Sequence, residues 1–315
     1  MDLTMNTDQR AMREALRDIV RATWPPERLR AAADAPAIDA ASWAALAEVG
    51  VFGLLVPERA GGMGLGLADA AILAEELGYG LVPGPVVPTI LAAELIPDAI
   101  TGKAIVTTVD TRDRMLVAEH VASATHLVVV DDDGLFQYPT TDCVAEPSAR
   151  PLDPLTPMSV LTLHAGSRER VGSAQDAAHW RSAGTTLTAA LQVGLAQGAL
   201  DLAVRYAKER EQFGRTIGSF QAVKHLLAES LVKVDLARAA VLVAALSHDD
   251  AEVSSAKVLA DKAATEVGRC GIQVHGGMGF TWEVLAHLFV KRAWVLATAF
   301  GSADEHAQRV ADAVI

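Results

Sequence analysis

The chain has 315 residues, of which 51% are hydrophobic and 5% aromatic, and its 39 acidic against 27 basic side chains leave a formal charge of -12. That balance excludes a nucleic-acid or anionic-membrane surface as the main partner, because binding phosphates needs a basic face, and any anionic ligand must be met by local positive groups. A composition dominated by Ala, Leu and Val favours packed helices over a sheet-rich fold.

Residues 8–100 read as a helical module. Leu16, Ile19, Val20 and Trp24 recur at helical spacing until Pro25 and Pro26 stop the helix. Two further helices are predicted over 39–49 and 67–78, joined by the turn-rich "VPERAGGMGLG". Its glycines follow a helix rather than a strand, so this is a turn and not a dinucleotide loop. Between 103 and 164 the texture changes to short β-branched runs, "AIVTTV", "HLVVVDDDGLFQYP" and "SVLTLH", with a hairpin turn predicted over 131–134. From 183 onward the chain is helical again. Leu187, Leu191, Leu195, Leu202 and Tyr206 share roughly one face of a long helix, and Val223, Leu227, Leu231 and Val234 do so in the next. Two more helices are predicted over 254–274 and 283–297. The expected fold is mainly α: an N-terminal helical domain (1–100), a small reduced β domain (101–168) and a C-terminal four-helix bundle (183–315).

The two cysteines, Cys143 and Cys270, form no CxxC pair, which fits a reducing compartment and no disulfide scaffold. With no signal-like N-terminus and no uninterrupted run of eighteen apolar residues, the expected location is cytoplasmic. Cys270 and His275 lack further metal ligands nearby, and His248 with Asp249 and Asp250 reads as a solvated link, so no metal is expected.

Two windows carry candidate chemistry. "REQFGRTIGSFQ" (210–221) offers Arg210, Gln212, Phe213, Phe220 and Gln221; "QVHGGMGFTWE" (273–283) offers Gln273, Gly276 and Gly277. A guanidinium at a helix end can pair bidentately with a phosphate, amides can donate and accept, and glycines let a ligand approach the backbone. Taken alone, Arg210 could equally be a surface ion-pair partner and the two phenylalanines core residues.

Together with "LAEVGVFGLLVPERAGGMGLG" and "LAEELG" near the N-terminus, these windows resemble the acyl-CoA dehydrogenase family over almost the whole chain. The resemblance implies that Arg210, Gln212, Phe213, Phe220, Gln221, Gln273, Gly276 and Gly277 bind the ADP half of an FAD across a subunit interface. It also implies an acyl-CoA substrate, dehydrogenated at its α and β carbons, and an electron-transfer flavoprotein as acceptor.

Against that pattern two base positions are empty. The family's glutamate in a Tyr-Glu-Gly-Thr-like stretch aligns with Phe300 of "TAFGSADEH", and the alternative position on the long helix falls at about Gly184. The flavin-cradling loop and tryptophan strand of the β domain have no counterpart between 103 and 164. What a subunit gives its own flavin ring is absent, whereas what it gives its neighbour's ADP is present. The resemblance is therefore to the smaller, base-less subunit of actinobacterial α2β2 acyl-CoA dehydrogenases of steroid catabolism. Two alternatives stay open: a self-sufficient enzyme with its base moved to Glu283, Asp304 or Glu305, or a scaffold that has lost the chemistry. Helix capping is the competing role for all three carboxylates.

Overall fold

The computed structural model describes residues 4–164 and 168–315. Residues 165–167, counted above in the β domain, and 1–3 lie outside the described residues. The elements, in chain order, are α1 (Thr7–Thr23), α2 (Pro26–Asp34), α3 (Ala40–Glu48), α4 (Leu67–Tyr79) and α5 (Val86–Ala92), then β1 (Val106–Asp110), β2 (Val117–Glu119), β3 (His126–Val130), β4 (Gly134–Pro139), β5 (Cys143–Pro147), β6 (Met158–Leu163) and β7 (Glu169–Ser173). The chain continues with α6 (Ala174–Glu209), a hairpin of β8 (Glu211–Gln212) and β9 (Arg215–Thr216), and α7 (Gln221–Ser247), α8 (Asp250–His275), α9 (Ala286–Leu296) and α10 (Ala303–Val314).

Two compact units emerge. The first gathers the described residues of Met1–Arg30 with Ala71–Val82 and Thr188–Ile315; the second gathers Ala31–Ala70 with Pro83–Leu187. In the second unit Asp39 caps α3 by accepting the Ser42 backbone N–H at 2.9 Å. Its strands form two sheets, ordered β1-β3-β4-β7 and β2-β6-β5, with β1 and β3 parallel and the remaining pairs antiparallel. The expected hairpin turn joins β3 to β4, where Asp131 and Gly134 exchange backbone hydrogen bonds and Val130 pairs with Leu135. Backbone N–H groups aimed at Asp131 hold its carboxyl below the usual range. Val109, Leu127, Val129, Phe136 and Leu161 build the apolar core of these sheets.

In the first unit Asn6 and Gln9 form a capping box that starts α1. Arg13 and Arg17 on α1 both reach the buried Glu76 of α4, and Arg238 of α7 reaches Glu75. The C-terminal helices pack around α8, which touches α7, α9 and α10. Alanines 256, 260, 263 and 264, with Gly268, are buried along it, and small side chains let helix axes come close.

Three expectations need correction. The long helix begins at Ala174, not 183, because Ser173 and Asp176 cap it reciprocally. Residues 183–196 are buried on every face rather than along one stripe; by length and composition α6 could cross a membrane, yet 72% of its most apolar window is buried within the protein. In α7 the covered stripe runs through Val223, Leu227, Ser230, Val234 and Ala237, and Leu231 lies off it at 47% exposure.

Candidate functional site

Both motif windows belong to the first unit and meet at one end of its helices. Beyond Glu209 the Arg210 backbone N–H still bonds the Tyr206 carbonyl at 2.8 Å. The chain then reverses through the β8–β9 hairpin, whose tip residues Phe213 and Gly214 are both left-handed (φ 55 and 74), as a tight two-residue turn demands. A phenylalanine is rarely placed there. Its ring is 91% exposed and meets the Phe220 ring edge-on at 6.1 Å, while the Arg215 guanidinium lies 4.0 Å over Phe220. Gln221 opens α7 with Phe220 as its N-cap and no side-chain capping bond.

On the other side α8 ends at His275, and Gly276–Phe280 forms a tight 3-10 turn. Tyr206 joins the two windows: its ring stacks on His275 at 4.3 Å, and its hydroxyl points to the Met278 sulfur at 3.7 Å. Ala203, Ala207 and Val274 pack beneath them, backed by Ile217, Val223 and Leu227. Backbone segments distant in sequence are thereby held together by a small apolar cluster.

The structure places Arg210, Gln212, Phe213, Gln221, Gln273, Gly276 and Gly277 on the exposed surface, with Phe220 half-buried. This corrects one reading: Phe213 is not a core residue. Among the described residues no carboxylate or other side-chain partner engages Arg210, Gln221 or Gln273. Gln212 is turned back, its amide N–H donating to the Glu211 carbonyl at 2.7 Å. A Cβ added at Gly276 or Gly277 would meet nothing within 4 Å. The arrangement thus leaves a guanidinium, two amides and approachable backbone exposed at the surface, donor types suited to a phosphate-bearing ligand.

Phe300 occupies a left-handed position (φ 56). Its carbonyl accepts from His306 Nε2–H at 2.9 Å, and the other ring nitrogen accepts from the Ser254 hydroxyl at 3.1 Å. The Phe300 carbonyl requires a proton on Nε2, and burial pushes the His306 pKa down, which favours the neutral ring. Of the alternative bases, Glu305 closes a capping box with Ser302 at the start of α10, and those bonds hold its carboxyl below the usual range. Asp304 is exposed in the same first turn. Glu283 does not cap α9, which opens three residues later with no side-chain cap; Glu283 is exposed, and its backbone carbonyl accepts from Arg30 Nη2 at 2.7 Å. Gly184 is buried within α6.

Sequence reasoning missed Tyr206, Arg215, His275 and His306 as organisers of these turns. The signals present were Tyr206 on the apolar face of the long helix, the second arginine of "REQFGRTIGSFQ" and the histidine of "QVHGGMGFTWE"; none indicated that these side chains meet. It also missed a buried polar group: Lys257 donates to the Leu296 carbonyl at 2.8 Å and to Gln192 Oε1 at 3.4 Å. Among the described residues no group of three His, Cys, Asp or Glu is arranged to hold a metal.

The fold and this site define the class. The model of the acyl-CoA dehydrogenase N-terminal domain matches residues 6–101, and that of its C-terminal domain matches residues 183–315. The chain belongs to the acyl-CoA dehydrogenase family of flavin-dependent oxidoreductases. Acyl-CoA dehydrogenase IpdE2 of Mycolicibacterium smegmatis is 34% identical over 320 residues, covering 97% of this chain and 98% of the relative. IpdE2 of Mycobacterium tuberculosis is also 34% identical, covering 98% of each. Among solved structures, the Tcur3481-Tcur3483 steroid ACAD superposes with a TM-score of 0.86 at 28% identity, covering 98% of this chain and 97% of that one. The ChsE4-ChsE5 complex from Mycobacterium tuberculosis does so at 0.87 and 24% identity, over 100% and 99%, and shows the shared fold.

Proposed function

We propose that this chain is the base-less subunit of a heteromeric, cytoplasmic acyl-CoA dehydrogenase, and that it grips the ADP end of an FAD whose reactive ring faces a homologous partner. The observation that carries this reading is the contrast between an uncommitted Arg210, Gln221 and Gln273 on an open face and a phenylalanine, Phe300, where the catalytic carboxylate belongs. When bound, FAD takes up the hydride that leaves the β-carbon of the acyl-CoA.

The residues present fit that group. Arg210 has no internal anion to surrender before pairing with a pyrophosphate, so the charge-assisted bond comes without breaking another. Gln221 and Gln273 supply amides to the ADP sugar and phosphates, and the open backbone at Gly276 and Gly277 admits close approach. Phe213, held exposed in a strained backbone region, is a platform for a ring or for the partner. Phe300 cannot remove the α-proton, which leaves that step to a carboxylate of the partner subunit.

Leu226, Val232 and Leu236 are exposed apolar residues on one side of α7, the kind of surface a partner covers. The name of one solved relative, the two-protein Tcur3481-Tcur3483 steroid ACAD, supports a steroid-derived, ring-bearing CoA thioester as substrate and a heteromeric assembly; the α2β2 stoichiometry is proposed by family analogy. An electron-transfer flavoprotein is the acceptor by family analogy. The test is expression alone and together with a homologous acyl-CoA dehydrogenase subunit from the same genome. A colourless, inactive chain that becomes yellow and active only in the complex is expected; a yellow, active chain alone overturns the proposal.

A further inference from the structure

The first unit contains a cavity of about 190 Å³ among α1, the α1–α2 elbow, the end of α4 and the start of α9. It arises from the sequence Trp24-Pro25-Pro26. The prolines end α1 and turn α2 away, so that Trp24 and the two prolines become a wall instead of continuing the helix. Opposite them Phe289 and Leu29 are buried and face the same space. The lining is bulky and apolar on all but one side.

That remaining side is cationic, in a chain whose net charge is -12. Arg17 and Arg21, a helical turn apart on α1, both line the cavity with Glu76 as its carboxylate. Glu76 is already neutralised: Arg17 bonds both of its oxygens at 2.7 Å, and Arg13 reaches it as well. Tyr79, also in the lining, donates its hydroxyl to Asp201 at 3.1 Å. Arg21 has no hydrogen-bond or ion-pair partner among the described residues. The cavity therefore combines an apolar interior with one uncommitted guanidinium at its edge.

We propose that this cavity binds a small monocyclic carboxylate, the ring lying between Trp24 and Phe289 and the carboxylate pairing with Arg21. Size admits a ring, since a cavity of about 150 Å³ already accommodates benzene and this one is about 190 Å³. Charge sets the head group, because a cation would face two arginines and a neutral group would leave the strongest donor unused. The site is separate from Arg210, Gln273 and Phe300 in its residues, and the inference stands whether or not the flavin assignment does.

The test uses the full chain, purified with any subunit that accompanies it, and titrates benzoate, cyclohexanecarboxylate, benzyl alcohol and benzylamine by calorimetry. Millimolar or tighter binding of the two carboxylates is expected, with the alcohol and the amine weaker by about tenfold or more. Arg21→Gln should weaken benzoate by about tenfold while leaving the unfolding temperature unchanged. Leu29→Phe, which fills the cavity from its floor, should abolish binding without changing the flavin content. Equal affinity for benzoate and benzyl alcohol overturns the proposal, as does benzoate binding that survives both substitutions or a complex in which a partner's side chain occupies the cavity.

Discussion

Lys257 is fully buried in the C-terminal helices, and burial pushes its pKa down from 10.5 to about 8 despite the neighbouring carboxylate of Asp261. Asp261 is pushed in the opposite direction by its own burial, and Gln192 bridges the two by donating to Asp261 at 2.7 Å and accepting from Lys257. The folded chain therefore disfavours a proton that the unfolded chain keeps. Between pH about 8 and 10.5 the unfolded state holds more protons, so this group's contribution to stability rises with pH across that window and is least favourable below it. The expected gain is about 2–3 kcal/mol, measured as the increase in urea-unfolding free energy from pH 7.5 to pH 10. Lys257→Met should lose that increment while wild type keeps it. Parallel pH profiles for the two proteins would show that the lysine is not the group responsible.

The helices make a different kind of demand, on backbone spacing. Where α4 meets the later part of α6, Gly78 faces the Leu191 backbone and Gly194 faces Glu75, a Cβ at Gly194 falling 1.9 Å from the Glu75 carbonyl oxygen. A methyl group there forces the helices apart. Gly194→Ala should therefore destabilise the chain by about 1–3 kcal/mol, as overpacked sites do, whereas Gly277→Ala, open on every side, should stay within about 0.5 kcal/mol. Thermal unfolding of the two variants side by side checks the pair, and equal losses would refute the steric account. These contacts were not legible in "QVGLAQGAL", because apolar periodicity marks a covered face but not which backbone lies on it. The same blindness misplaced Leu231: α7 is apolar on more than one face, and only packing decides which is covered. The start of α3 was legible from its Asp39 cap, whereas the start of α6 at Ala174 was missed although Ser173 and Asp176 form an ordinary reciprocal cap there.

At the scale of the molecule, the order of helices, sheets and helices was legible because each run is long and locally patterned, and so were both motif windows. Their meeting through Tyr206 and His275, on an open face instead of in a cleft, was not, since it depends on how α6 and α8 end relative to each other. That openness bears on stoichiometry. A self-sufficient enzyme needs one flavin site and one base per chain, whereas in the proposed division Arg210, Gln221 and Gln273, exposed at the surface, hold only the ADP side and Phe300 stands in for the base. If only the partner supplies a ring site, half of the chains in an α2β2 complex carry a flavin ring, and absorbance against amino-acid analysis should give one FAD for every two chains. Arg210→Ala should then cut the retained flavin by about tenfold, the scale of a lost charge-assisted bond, while size-exclusion chromatography still shows the intact heteromer. Because Arg210 makes no ion pair among the described residues, a fall in flavin without a fall in assembly separates a cofactor ligand from a structural arginine. One FAD per chain would instead require a complete ring site here, and with it a base that neither Phe300 nor Gly184 can provide.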